Sequence, residues 1–472
     1  MPATSTPSAA TDAWAPYEPS DAAPWNRQRV VHLHRRAGFA ANWTELQRDL
    51  AEGPQRAVDR LHDGSRGRVL PRLEHGSLGE TAPREIEAMA RTIGDAAQAS
   101  NNPNRLKAWW LYRMLFSPDP LGERLTLMWH NHFATSNRKV QDLVLMRQQN
   151  ELLREYARAP FGELLQAVVK HPAMLVWLDA DANRKGRPNE NLAREMLELF
   201  TLGIGHYTET DVREAVRALT GWAVVGGQFG FREARHDVEV KPLLGKSASY
   251  TGDDLLGILI EHPATARRVA GRICQTFLGE AAVRDAELNA LADGLRGRKL
   301  DIGWAVEIVL RSRLFFAEDT LRKRVAGPLE WAIGIVHALE LTDPPPSTLL
   351  LAEWTTRMGQ DLFYPPNVGG WSEGRAWLNS QTIVARANFA AALVDGRLWH
   401  PARTADIWKL VRRYRQTDDL DEAVAWVMEL LWGEVYHDAI SEIASAAGEA
   451  EQERRLSTAI ALLLARPESQ LG

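Results

Sequence analysis

Ionisable side chains crowd most closely between Asp179 and Trp222, in DADANRKGRPNENLAREMLELFTLGIGHYTETDVREAVRALTGW. At about 100° per residue, a helix from Glu190 to Leu202 places Asn191, Glu195 and Glu198 within about 60° of one another, with Glu190 and Arg194 adjoining them. A Glu-x-x-Glu pair of this kind chelates a divalent metal when histidines from elsewhere join it. The same spacing permits Glu190–Arg194 and Arg194–Glu198 ion pairs, and it also describes an ordinary exposed amphipathic helix. His130 and His132 form a second cluster, in WHNHFATS. In a continuous helix they point about 200° apart and cannot share a metal, whereas an extended or broken segment puts them on one face. His206 follows Gly203, which suits the left-handed position ending a helix, and precedes Thr208 and Asp211, which resemble an N-cap pair. There the helix dipole favours a neutral imidazole, able to bind a metal or accept a proton. Arg235, His236, Asp237 and Lys241 lie in a non-helical stretch, where His236–Asp237 offers a ligand with an acidic partner. The prolines and glycines of 365–370, beside Trp371 and Trp377, fit an aromatic pocket wall or simply core packing.

The elements that carry these residues are read from periodicity. Helical patterns run from Gln28 to His62, broken near Gly38, and return from Arg84 through most of the chain. A Gly/Arg-rich loop and mobile stretch are expected between about His62 and Pro83. From 223 to 253 the helical pattern lapses; four glycines, with Phe229 and Phe231 around Gly230, predict a small hairpin or irregular excursion. The expectation is therefore a mainly α fold: a disordered leader at 1–27, one large helical domain at 28–395 and a helical extension at 396–472. His32, His34, Arg35 and Arg36 make the first helix basic, and a solvent-facing charged side is the simplest account of them.

Composition narrows the classes. A net charge of −5 over 472 residues leaves no electrostatic footprint for nucleic acid or an anionic membrane. No apolar run is long enough to span a bilayer. The Ala/Pro/Ser-rich start has no signal-peptide pattern, so a cytoplasmic protein is expected. One cysteine, Cys274, excludes a disulfide framework and sits in an apolar helical run as an inert thiol. Seventeen tryptophans outnumber the phenylalanines, pointing to large side chains wedged between helices or lining a pocket. Nucleotide-binding glycine loops, the His-Glu-x-x-His motif and the Gly-x-Ser-x-Gly elbow are absent.

Seven ordered stretches resemble the signatures of a bacterial family called domain of unknown function 1800. They are HLHRRAGFA (32–40), WHNHFATS (129–136), HPAMLVWLDA (171–180), the 189–222 stretch, RHDVEVKPLLG (235–245), HPATARRVAGRI (262–273) and FYPPNVGGW (363–371). The resemblance covers about residues 28–395. Many relatives carry His where this chain has Phe200, which argues against an essential ligand at that position. The resemblance also implies export in many members and a sulfatase-like partner protein; this chain shows no export signal.

Two functions follow as expectations. One is metal-assisted hydrolysis or oxidation, with a divalent metal held by His130, His132, His206, His236 and Glu198. Glu190 or Glu195 would act as a ligand or general base, and Asn131, Arg194 and Lys241 would orient or neutralise an anionic substrate. The other is a non-catalytic binding or assembly module, in which the same groups lock helices together and Trp-rich loops meet a partner.

Overall fold

A computed structural model describes residues 12–64, 83–280, 282–449 and 451–472. Most of the leader and the whole of the expected mobile stretch at 65–82 lie outside these. The chain is mainly α, as expected. Helix starts follow local chemistry: Pro54, Pro103, Pro120, Pro172, Pro263 and Pro328 each occupy a first turn, where a missing N–H costs nothing. Reciprocal capping boxes join Asn42 to Glu45, Thr208 to Asp211 and Thr251 to Asp254.

The helices that build the site are α1 (Arg27–Ala37), α2 (Pro103–Phe116), α3 (Pro120–His132) and α4 (Asn191–Glu195). Helix α4 continues into a π-helical turn, Met196–Thr201. After it come α5 (Glu209–Leu219), α6 (Pro263–Phe277) and α7 (Pro328–Ala338). The excursion is two antiparallel hairpins rather than one. Strand β1 (Trp222–Val225) pairs with β2 (Gln228–Phe231), and β3 (Lys241–Leu243) with β4 (Lys246–Ala248). The first turns at Gly226-Gly227, both at positive φ, as a two-residue hairpin requires.

Two hydrophobic cores share α1 and α3 as a partition. Val30 and Val31 of α1 face one core, and Leu33 and Ala37 the other. On α3, Leu127 faces the first, whereas Leu121, Leu125 and Trp129 face the second. The tryptophan excess is explained here: Trp109, Trp110, Trp129, Trp331, Trp408, Trp426 and Trp432 are among the largest fully buried side chains.

Three observations bear on these expectations. From Asp12 the leader is part of the body: the Tyr17 amide donates to the Arg311 carbonyl at 2.7 Å, and the Tyr17 and Trp25 rings pack on Phe316. Aromatic anchors outweigh the disorder-promoting composition around them. In the C-terminal helices, expected as an extension from 396, Trp408, Trp426 and Leu463 belong to the same core as Trp109 and Leu111. The basic side of α1 does not face solvent: His32, His34 and Arg36 are buried, and His34 meets Asp49 at 2.7 Å. The Asp49 carboxyl is held well below the usual carboxylate range by that contact and by Arg48, which outweigh its burial.

Candidate functional site: an arginine-lined cleft

Helix α3 ends at His132, and beside its last turn an open cleft of about 430 Å³ is framed by five separate segments. They are Asn131–His132, Leu199–His206, α6, Leu288 of the helix Asp285–Gly297 and the loop at Val368–Gly369. On α6 the lining residues Arg267, Arg268, Gly271, Arg272 and Gln275 occupy an arc of about 140°. Ala266, Val269, Ala270, Ile273 and Cys274 fill the opposite side in the core. Burial raises the Cys274 thiol far above its ordinary pKa, so it is inert as expected.

Helix α3 is continuous through both histidines, so they part company. His130 points into an aromatic box of Trp110, Phe363 and Trp371, with ring centroids at 5.1, 5.6 and 5.4 Å. Among the described residues neither of its ring nitrogens has a hydrogen-bond partner, and burial lowers its pKa to about 3. His132 lines the cleft. Its Nε2 lies 3.1 Å from the Phe200 carbonyl. A carbonyl only accepts, so Nε2 carries the proton and Nδ1 keeps a lone pair. Burial first, then the charges of Arg272 and Arg268, lower its pKa to about 3. The imidazole is neutral with a defined tautomer.

The π-helical turn explains the placement of that ring. Wider bonding brings the Leu202 and Gly203 amides back to the Leu197 carbonyl and leaves the Leu199 and Phe200 carbonyls to other donors. Phe200 holds His132, and Leu199 accepts from Arg268 Nε at 3.2 Å. One irregular helix end thus positions two cleft side chains, a common use of π turns.

Asn131 ties the cleft floor to the 363–371 loop. Its Oδ1 accepts from the Trp371 amide at 2.6 Å, and its Nδ2 donates to Glu373 Oε1 at 2.7 Å. Gly370, at φ 85°, allows this approach, because a Cβ there would sit 2.5 Å from the Asn131 carbonyl oxygen. Arg272 also reaches Glu373 Oε1, at 2.8 Å. Arg267 pairs with Asp285 at 2.6 Å. Among the described residues Arg268 has no carboxylate within ion-pair distance, and the Gln275 side chain makes no hydrogen bond. Desolvation first, and then the charge of Arg272, lower the Arg268 pKa.

The residues singled out from sequence fall into three groups. Asn131, His132 and the exposed His206 line the cleft, His206 at its rim. Glu198 stands nearby, accepting the Tyr207 hydroxyl at 2.8 Å rather than pairing with Arg194. Glu195 is half-buried, its pKa raised by burial and by Glu198. Arg194 forms a surface cluster with Glu190 and Glu209, at 2.8 and 2.9 Å, turned to solvent. His236 and Lys241 lie in the excursion. His236 Nδ1 meets the Thr220 carbonyl at 2.8 Å, and buried Lys241 donates to the Asp237 and Glu239 carbonyls at 2.5 and 2.9 Å. Asp237, the expected partner of His236, pairs with Arg217 instead, at 2.8 Å. The expected metal-ligand set is therefore dispersed: among the described residues no group of three or more His, Cys, Asp or Glu side chains could hold a metal ion. Arg268, Arg272 and Gln275 were missed. Their signal lies in HPATARRVAGRICQ (262–275), as polar residues on one face of an otherwise apolar helix.

Residues 32–471 match the family model described as Protein of unknown function (DUF1800). The chain belongs to this family. No curated protein and no solved structure matches it. The match runs well past residue 395, in keeping with the shared core. No helix of the described residues is long and apolar enough to cross a membrane.

Four of the seven DUF1800-like stretches named above, those at 129–136, 189–222, 262–273 and 363–371, meet at this one cleft. A larger groove of about 1050 Å³ lies between 337–345 and 399–414. None of the seven stretches reaches it, and Glu340 there is bound to the Tyr414 hydroxyl at 2.7 Å and to Arg413 at 3.1 Å.

Proposed function

We propose that the cleft binds a small acidic ligand, one bearing a carboxylate, phosphate or sulfate group. The observation that carries this reading is the polar face of α6: three arginines line the cleft with no acidic side chain among the lining residues. Asp285 and Glu373 answer Arg267 and Arg272, which leaves Arg268 for a ligand. A guanidinium fork matches such anions in geometry and charge. Gln275, with donors and an acceptor, and His132 Nδ1, an acceptor for a hydroxyl or amine, would read the uncharged part. The expected experiment is calorimetric titration with inorganic phosphate, sulfate and a dicarboxylate against a neutral sugar. Saturable binding of an acidic compound, weakened by salt and by Arg268→Ala, supports the proposal. Equal response to charged and neutral compounds, or an unaffected Arg268→Ala variant, overturns it.

A second reading keeps metal-assisted hydrolysis or oxidation, favoured by the neutral His132 with its free Nδ1. Such a metal would need most of its ligands from the substrate. Elemental analysis tests it: less than about a tenth of an equivalent of any transition metal, not recovered on adding metals, sinks it. The sulfatase-like partner implied by the resemblance is likewise a proposal, tested by co-purification of the two full-length proteins.

A further inference from the structure

Two segments distant in sequence meet beside the hairpin excursion and carry five cations. The first, Arg184–Arg187, is a tight turn. The Arg187 amide donates to the Arg184 carbonyl at 2.8 Å, the Arg184 amide returns the bond at 3.0 Å, and Gly186 takes φ 78°, as the third position of a type II turn requires. Buried Asn183 anchors it, donating from Nδ2 to the Val216 carbonyl at 2.8 Å and accepting from the Asn189 amide at 3.2 Å. The second segment, Arg232–Arg235, leaves β2. The Arg232 amide donates to the Gly221 carbonyl at 2.8 Å, and the Arg235 carbonyl accepts from the Lys185 amide at 2.9 Å. The backbone beneath these side chains is therefore held in place from within the fold.

Inside the excursion His236, Asp237 and Lys241 are satisfied; the charge imbalance lies on its exposed rim. Asp181 serves Arg235 at 3.1 Å, Arg184 at 3.5 Å and Arg232 at 3.9 Å. Lys185 and Arg187 are exposed, and among the described residues neither side chain makes a hydrogen bond or an ion pair. Of the acids that flank the two segments in sequence, Asp179 pairs with Lys139 at 2.6 Å, Glu190 with Arg194 at 2.8 Å and Asp237 with Arg217 at 2.8 Å. Glu233 is exposed and has no ion pair among the described residues. Five cations thus stand with two carboxylates, Asp181 and Glu233, on a chain whose net charge is −5. Next to Arg232 the Phe231 side chain is 48% exposed, its ring 5.4 Å from that of His236.

We propose that this patch docks an acidic segment of a partner protein, with carboxylates on the arginines and an apolar side chain on Phe231. The composition favours a protein over a nucleic acid. Arginine and aromatic residues are enriched where proteins meet, and four of the five cations are arginines, whose forks match carboxylates. A patch that includes Asp181 and Glu233 suits carboxylates spaced along a polypeptide better than an unbroken phosphate backbone. None of these residues lines the cleft, so the inference does not rest on the acidic-ligand reading of that site.

Fluorescence anisotropy tests it, using the full chain and a dye-labelled peptide rich in Asp, Glu and Leu. The controls are the same peptide with Asn and Gln in place of the acids, and a single-stranded DNA of equal charge. Saturable binding of the acidic peptide, weakened by salt and matched by neither control, is expected. Lys185→Gln with Arg187→Gln should weaken it by about fivefold or more, whereas Arg268→Ala should leave it unchanged. No binding of the acidic peptide, equal binding of the neutral one, or tighter binding of the DNA overturns the proposal, and these comparisons need no variant. Full affinity in the Lys185→Gln, Arg187→Gln chain overturns it too. Loss of binding in Arg268→Ala would place the peptide in the cleft and sink the patch, leaving the cleft reading in place.

Discussion

The cleft and the hairpin excursion carry similar side chains and use them in opposite ways. Each has a histidine, an arginine and an amide or hydroxyl near a glycine-rich turn. In the excursion every such group is answered from within: His236 by Thr220, Asp237 by Arg217, and Lys241 by two carbonyls. In the cleft, among the described residues, Arg268 has no carboxylate within ion-pair distance, the Gln275 side chain has no hydrogen-bond partner and His132 keeps a lone pair. Residue type does not separate scaffold from site; unsatisfied hydrogen-bonding capacity beside open volume does.

The largest effect that follows belongs to the scaffold. Lys241→Met removes the donor for the Asp237 and Glu239 carbonyls, leaving both without it. The expected loss is about 2–4 kcal/mol of stability, measured by urea unfolding, with affinity for acidic ligands unchanged in the folded fraction. If Lys241→Met removed binding and left stability intact, the contrast between the regions would fail.

Next in size is a pH effect from the helix that reaches the cleft. His130 and His132 stay neutral in the fold down to about pH 3, whereas an unfolded chain protonates them below about 6.5. Protons therefore bind the unfolded state preferentially between these values. The stability these rings permit is fully present above about pH 6.5 and is lost as pH falls towards 3. Each contributes a slope of up to about 1.4 kcal/mol per pH unit inside that window. His130→Phe, which keeps the aromatic box filled, should remove one such contribution, read from unfolding at about pH 7, 6 and 5. An unchanged slope would mean that His130 is not held neutral.

Much of the fold was legible because it is written locally. Proline first turns, capping boxes and glycine ends marked the helices, and Phe229-Gly230-Phe231 marked a strand. What could not be read was partner choice across the chain. Asp49 lies in a different helix from His34, and Phe316 nearly three hundred residues from Tyr17. A basic α1 therefore read as solvated and the leader as disordered. In the site, Asn131, His132 and His206 were found because their motifs are chemically conspicuous. Arg268 was passed over because a charge on an amphipathic helix is ordinary until a cleft opens above it.

Arg268 supplies the third test. It is exposed, without a carboxylate within ion-pair distance among the described residues, and bonded only through Nε to the Leu199 carbonyl. Its replacement by Ala should leave stability within about 0.5 kcal/mol. Binding of an acidic ligand should weaken about tenfold or more, as expected when a charge-assisted hydrogen bond is lost. This inverts the Lys241→Met outcome: stability is kept and binding is lost.

The smallest effect is the most discriminating. Gly271 sits in the middle of α6, where glycine costs about 0.5–1 kcal/mol relative to alanine. A Cβ there would meet nothing within 4 Å, and the residue faces the cleft. Packing therefore gives no reason for a glycine, and neither does its φ, which is not positive. Gly370 is the opposite case, since Asn131 forbids a side chain there. If the cleft is a binding site, the space above Gly271 belongs to the ligand, which approaches the helix backbone between Arg267 and Arg272. Gly271→Ala should then raise stability by about 0.5–1 kcal/mol while weakening the binding of acidic ligands. A gain in stability with full affinity would show that the ligand does not use this part of α6, and would confine the site to the rim around Arg268 and His206.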